Sequence, residues 1–126
     1  MKINLKEPPR VFEVGFGETI YMKDCAHIGL EPDEQVTFTT ESGAEYDVGR
    51  KSWGFYATPS LNARLAQFGL RAVLVKNRLK RYFLLLVEQG REPLFERYVE
   101  VEGLSVVCWL DQTAALEDLE DRLKAV

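Results

Sequence analysis

The stretch Leu70-Arg-Ala-Val-Leu-Val-Lys76-Asn-Arg-Leu-Lys80-Arg-Tyr-Phe-Leu-Leu-Leu-Val-Glu88 decides the fold. Two apolar runs, Leu70 to Val75 and Arg81 to Glu88, flank the polar turn Lys76 to Lys80. Runs of this length and composition predict buried strands, and the short loop between them predicts an antiparallel hairpin. Helical periodicity lies on both sides. Ser60 to Phe68 places Leu61, Leu65 and Phe68 on one helical face, with Gly69 at the C-cap position. Beyond Gly90, Pro93 sits in a first helical turn, Leu94, Phe95, Tyr98 and Val99 form an apolar stripe, and Gly103 closes the helix. Leu104 to Leu110 predicts another buried strand, and Thr113 opens a last helix with Leu116, Leu119 and Leu123 inward.

Upstream, residues 1–9 read as a loose lead-in ending at Pro8-Pro9. Strands are predicted over Arg10 to Phe16, Thr19 to Leu30 and Gln35 to Thr40, separated by Gly15-Phe16-Gly17 and by the turn Glu31-Pro32-Asp33-Glu34. Glu41 to Ala44 reads as a hairpin loop. Glu45 to Val48 and Ser52 to Ala57 are strand-like, with a break or bulge at Gly49-Arg50-Lys51. The expected class is therefore α+β: an N-terminal antiparallel meander, then a half whose order over residues 45–110 is βαββαβ, then a C-terminal helix. That order matches the split-βαβ, ferredoxin-like arrangement. The alternative is a small N-terminal barrel followed by an α/β lobe. With 126 residues and 46% apolar content, one domain over residues 1–126 is expected.

Charge and cysteines bound the function. The net charge of −4 argues against a general nucleic-acid binder. The two cysteines, Cys25 and Cys108, fit neither a zinc spacing nor a disulfide framework, and both are expected as buried free thiols. The N-terminus lacks an apolar signal core, and no run is long enough to span a bilayer. These features suit a soluble cytoplasmic protein without a membrane contact, a metal or another cofactor.

Three constellations carry possible chemistry. The first is the junction Lys51 to Arg64, where an aromatic strand runs into Thr58-Pro59-Ser60. Thr58 or Ser60 can cap the following helix, whose free N–H groups favour an anion. Lys51, Asn62 and Arg64 can add donors, and Trp53, Phe55 and Tyr56 a flat wall for a sugar or base. The same aromatics can equally alternate between core and surface. The second is Cys25 with His27, the one histidine. On a strand the two share a face with Lys23, so His27 could act as base for a Cys25 thiolate. A packed cysteine beside a hydrogen-bonded histidine fits the same pattern. The third is the basic turn Lys76, Arg78, Lys80 and Arg81, with Arg71 and Tyr82 nearby, which could grip phosphate or simply keep a strand tip soluble. Glu92, Glu96 and Glu100 fall at i, i+4 spacing and read as one solvated face. There is no Walker A loop, GxGxxG turn, GxSxG elbow or HExxH pair.

The segments Lys23-Asp-Cys-Ala-His-Ile28, Glu31-Pro-Asp-Glu-Gln-Val-Thr-Phe38 and Trp53-Gly-Phe-Tyr-Ala-Thr-Pro-Ser-Leu-Asn62, with Val75-Lys-Asn77 and Trp109-Leu-Asp111, resemble a small uncharacterised bacterial family. That family is loosely associated with gene neighbourhoods for surface-polysaccharide and nucleotide-sugar metabolism. The resemblance implies a cytoplasmic role near carbohydrate assembly and no particular activity. The expected function is thus a binding or accessory protein holding an anionic small molecule, such as a sugar nucleotide, or a protein partner. The alternatives are a small enzyme using Cys25 and His27, and a structural domain that homodimerises.

Overall fold

A computed structural model describes residues 1–57 and 59–125. Strand β1 (Lys2–Val14) pairs antiparallel with β2 (Ile20–Gly29) in a long two-stranded ribbon. The first nine residues are therefore mostly strand and not a loose lead-in. Lys2 to Leu5 pair with Ala26 to Gly29, and Pro8 and Pro9 fall in a register shift between Leu5 and Arg10, where no ladder N–H is required of them. β3 (Gln35–Thr39), β4 (Glu45–Lys51) and β5 (Gly54–Tyr56) form a second antiparallel sheet with β4 central. Strand β4 runs unbroken through Gly49, which pairs with Gln35 on one side and Tyr56 on the other. Ladders on both edges remove the expected break.

Helix α1 is a single turn, Arg64–Gln67, and not the span Ser60 to Phe68. The chain turns first: the Ser60 carbonyl accepts from the Leu65 amide at 3.0 Å, and its hydroxyl accepts from the Arg64 amide at 2.8 Å. Strands β6 (Leu70–Lys76) and β7 (Tyr82–Glu88) make the predicted hairpin, in register from Leu70 opposite Glu88 to Lys76 opposite Tyr82. Helix α2 (Glu92–Glu102) has proline in its first turn and ends on Gly103 at φ 67°, a left-handed value that favours glycine. Strand β8 (Ser105–Trp109) and helix α3 (Thr113–Lys124) complete the chain.

The class is α+β, with antiparallel strands in three small open sheets of order β1-β2, β3-β4-β5 and β7-β6-β8. No closed barrel forms among the described residues. The βαββαβ order is present along the chain, but the ferredoxin-like arrangement is not shown, because β4 and β5 form a sheet with β3 and not with β6, β7 and β8. The meander likewise divides at Glu31 to Glu34. There the Asp33 amide donates to the Arg50 carbonyl at 2.7 Å and turns the chain toward β4.

The core lies on the two faces of β6, the central strand of the third sheet. One face joins Leu70 and Ala72 to Leu65 of α1 and Ala44, all buried, with Tyr46 and Leu86 packed around them. The other joins Val73 and Val75 to Val87, with Phe95 of α2 set edge-on to Trp109 at 5.7 Å. A strand buried on both sides explains why Leu70 to Val75 reads as a nearly continuous apolar run.

Candidate functional site

The junction residues disperse. Lys51 and Tyr56 line an open depression of about 510 Å³ together with Asp33, Glu34 and Arg50. Its two cations are already held: the Lys51 ammonium lies 2.5 Å from Asp33, and Arg50 donates to the Leu30 carbonyl at 2.8 Å. Trp53, at the β4–β5 turn, is 71% exposed and outside this depression. Asn62 donates to the Thr113 hydroxyl at the start of α3, and the Arg64 guanidinium lies over its own neighbour, the Phe68 ring, at 5.3 Å. A four-residue helix has too few aligned peptides to draw an anion to its N-terminus. Thr58, the other expected cap, lies outside the described residues.

Cys25 and His27 do share a face of β2, and both are exposed. The expectation that Cys25 is buried is corrected; it points to solvent because the ribbon has no layer on that side. Cys108 is half-buried. The Cys25 thiol donates to the Lys23 carbonyl at 3.4 Å, and among the described residues no hydrogen bond joins it to His27. Asp24, which could have oriented the imidazole, lies on the opposite face. Lys6 hydrogen-bonds to it, and Arg10 stands 3.5 Å away. The Lys6 bond holds the Asp24 carboxyl below the ordinary aspartate range. Exposure has a direct consequence. In the folded protein, iodoacetamide is expected to label Cys25 before Cys108, read by mass spectrometry of peptides after quenching; faster labelling of Cys108 would contradict the placement. Among the described residues no group of three metal-ligating side chains gathers.

The basic turn also resolves into local contacts. The Asn77 carbonyl oxygen of the side chain accepts from the Leu79 and Arg81 amides, Lys76 lies over the Tyr82 ring at 5.8 Å, and Arg78 donates to the Val101 carbonyl at 3.4 Å. Arg71 stands at the far end of β6 in a different network. It donates to Asp111 at 2.6 Å, lies 3.5 Å from Glu92 and stacks over Trp109 at 4.0 Å.

Two features escaped the sequence reading. The first is the division of the β1–β2 ribbon into unlike faces. Cross-strand partners share a face, and faces alternate along a strand. Ile3 with Ile28, Leu5 with Ala26, Phe12 with Met22 and Val14 with Ile20 therefore make one apolar face, interrupted by the Asp24 ion cluster. Lys2, Asn4 with His27, Cys25, Val11 with Lys23, and Glu13 with Tyr21 make the other, largely polar one. The apolar face is open: Ile3 is 53% and Leu5 67% exposed. The period-2 pattern that signals this face was obscured at Pro8-Pro9.

The second is Glu102, the last residue of α2, which is 3% exposed. One of its oxygens, Oε2, accepts from the Phe16 amide at 2.5 Å and the Gly17 amide at 3.1 Å, which docks the ribbon tip on the helix. The approach requires a bare backbone, since a Cβ on Gly17 would stand 2.0 Å from the Val101 carbonyl oxygen. The other oxygen, Oε1, is buried without a hydrogen-bond partner among the described residues. Glu102 is one of the residues that border a cavity of about 340 Å³, with Val14, Phe16, Val75, Phe83, Tyr98 and Leu104 among the others. A signal existed: Glu102 follows Tyr98 and Val99 by four and three positions, so an acid stands on the apolar stripe of the helix.

Among the described residues no helix is long and apolar enough to cross a membrane. No family model matches the chain, and neither a curated protein nor a solved structure matches it.

Proposed function

We propose that the protein is a non-catalytic binding or accessory subunit that works as a homodimer, formed through the apolar face of the β1–β2 ribbon. The observation that carries this reading is area. The chain exposes 9233 Å², against about 6,800 Å² for a compact monomer of 14.4 kDa. The excess of about 2,400 Å² per chain is surface that a compact chain would bury; the apolar ribbon face is part of it, and a specific homodimer contact needs only about 600–1,000 Å² from each partner. An isolated two-stranded ribbon is marginal in water and gains stability when its apolar face is covered. A second copy presents the same apolar face, and two such faces can stack about 10 Å apart as in a sandwich. The family resemblance supports a setting near carbohydrate assembly, where such a subunit would serve enzymes without performing the reaction. The polar face, with Cys25 and His27, stays outside this contact.

Light scattering of the purified chain is expected to give about twice the 14.4 kDa chain mass. Leu5→Glu combined with Met22→Glu places charge at two exposed positions of the apolar face and should yield a folded monomer. Tyr21→Glu, on the polar face, should leave the dimer intact. A monomer for the unaltered chain at every concentration, or a dimer that survives the double change, would overturn the reading.

A further inference from the structure

We infer that the cavity between the ribbon tip, the third sheet and α2 is a binding site for a small organic cation, a primary ammonium carried on an apolar or aromatic body. The cavity is about 340 Å³, within the range of small-ligand pockets. Its walls are almost wholly hydrocarbon, contributed by Val14 and Phe16 of the tip region, Val75 and Phe83 of the sheet, and Tyr98 of α2 with Leu104 after it. Two further polar side chains line it: Asn77, whose oxygen already accepts from the Leu79 and Arg81 amides, and the Glu102 carboxylate. Its Oε2 is fully engaged by the Phe16 and Gly17 amides, so the carboxylate is fixed in place. Its Oε1 is buried and lacks a donor among the described residues. A buried acceptor without a donor is costly, and a charged donor supplies the strongest available bond to it. An anion or a bare hydrocarbon would leave that oxygen unanswered. An ammonium answers it, and the hydrocarbon attached to the ammonium fills the walls.

The rim favours the same chemistry. Phe16 (54%), Phe83 (46%) and Tyr98 (43%) are part-exposed aromatics around the opening. Aromatic faces attract cations, most strongly where water is partly excluded. The guanidinium of Arg78 packs against Gly103, beside Glu102, and donates to the Val101 carbonyl, while Arg97 pairs with Glu18; among the described residues neither hydrogen-bonds to Glu102. Gly15 completes the fit. A Cβ there would stand 2.9 Å from Oε1 and crowd the position where a donor must approach. The cavity shares Val14 with the apolar ribbon face; the inference rests on the Glu102 carboxylate of α2 and not on the dimer.

The test uses the full chain with phenethylamine as probe, and phenylacetate and ethylbenzene as its anionic and neutral counterparts. Isothermal titration should detect phenethylamine and neither counterpart. In proton–nitrogen spectra, the Phe16 and Gly17 amides should be among the resonances that shift, because they share the carboxylate with the ligand. Glu102→Gln keeps an acceptor for those amides and removes the charge; affinity should fall at least about tenfold, equivalent to about 1.4 kcal/mol. Should that variant fail to fold, Phe83→Ala, at a half-exposed position on an edge strand, should weaken binding several-fold with the fold retained. No binding of phenethylamine overturns the inference. So does equal binding of phenylacetate or ethylbenzene, unchanged affinity in the testable variant, or a set of shifted amides that omits Phe16 and Gly17.

Discussion

Leu65→Ala is expected to lower the stability of the folded protein by about 2–5 kcal/mol. Leu65 is 0% exposed and is the one residue of α1 in the core. It packs with Ala44 near the second sheet and with Leu70 and Ala72 of the third, and Leu61 and Leu110 close around it. Removing its branched end deletes the buried methyl groups and leaves a hole between two sheets. A four-residue helix cannot collapse into that hole without losing its own packing. The melting temperature should fall by roughly 8–20 °C, at about 4 °C per kcal/mol for a domain of this size. Leu94→Ala serves as the comparison. Leu94 lies on α2 but is 60% exposed, and its loss should change stability by no more than about 0.5 kcal/mol. Equal losses in the two variants would mean that Leu65 does not join the sheets as described.

The contrast between these leucines marks what local pattern can and cannot reveal. Leu65 is legible from the spacing Leu61, Leu65, Phe68, although most of the expected helix is a turn. Periodicity identified the buried face correctly while the Ser60 hydrogen bonds set the start of the helix four residues later. Leu94 belongs to an apolar stripe by spacing, yet faces outward, because an 11-residue helix covers only part of a three-stranded sheet. The β6–β7 hairpin was legible because both strands and their turn are adjacent in sequence. Sheet membership was not. Which strand accepts β4 depends on the Asp33 and Arg50 backbone bonds, which join residues 17 positions apart and leave no periodic trace. Lys2 to Leu5 were hidden by Pro8-Pro9, which read as a stop when taken alone and as a tolerated shift once β2 is alongside. The candidate site followed the same rule. The 51–64 junction was a local signal and dispersed on folding. Glu102 was paired with a turn 85 positions away, and only its misfit on an apolar stripe hinted at burial.

Arg71→Met is expected to cost about 3 kcal/mol, through the partner it leaves behind. The Asp111 side chain is 7% exposed, and Arg71 supplies its closest charged contact at 2.6 Å. Methionine keeps the aliphatic stem but abandons the carboxylate in a site where water cannot fully replace the guanidinium. It also removes the 4.0 Å stack on Trp109 and the bridge to Glu92 at the start of α2. Arg71→Lys retains charge and loses the flat fork, so its cost should be smaller, about 1.5 kcal/mol for the charge-assisted bond. Arg71→Met with Asp111→Leu removes both ions and should recover much of the loss, since a matched apolar pair can replace a buried ion pair. The pH dependence follows from the same contact. The Arg71 hydrogen bond holds the Asp111 carboxyl below the ordinary aspartate range, against the upward push of burial. A lowered carboxyl pKa contributes stability that is full above the unfolded value, about pH 4, and is lost as pH falls through the folded value. In Arg71→Met that contribution is absent. Denaturant unfolding of the two proteins should therefore differ most near neutral pH, with the gap narrowing below about pH 4. A gap of the same size at both ends would show that Asp111 does not carry the loss.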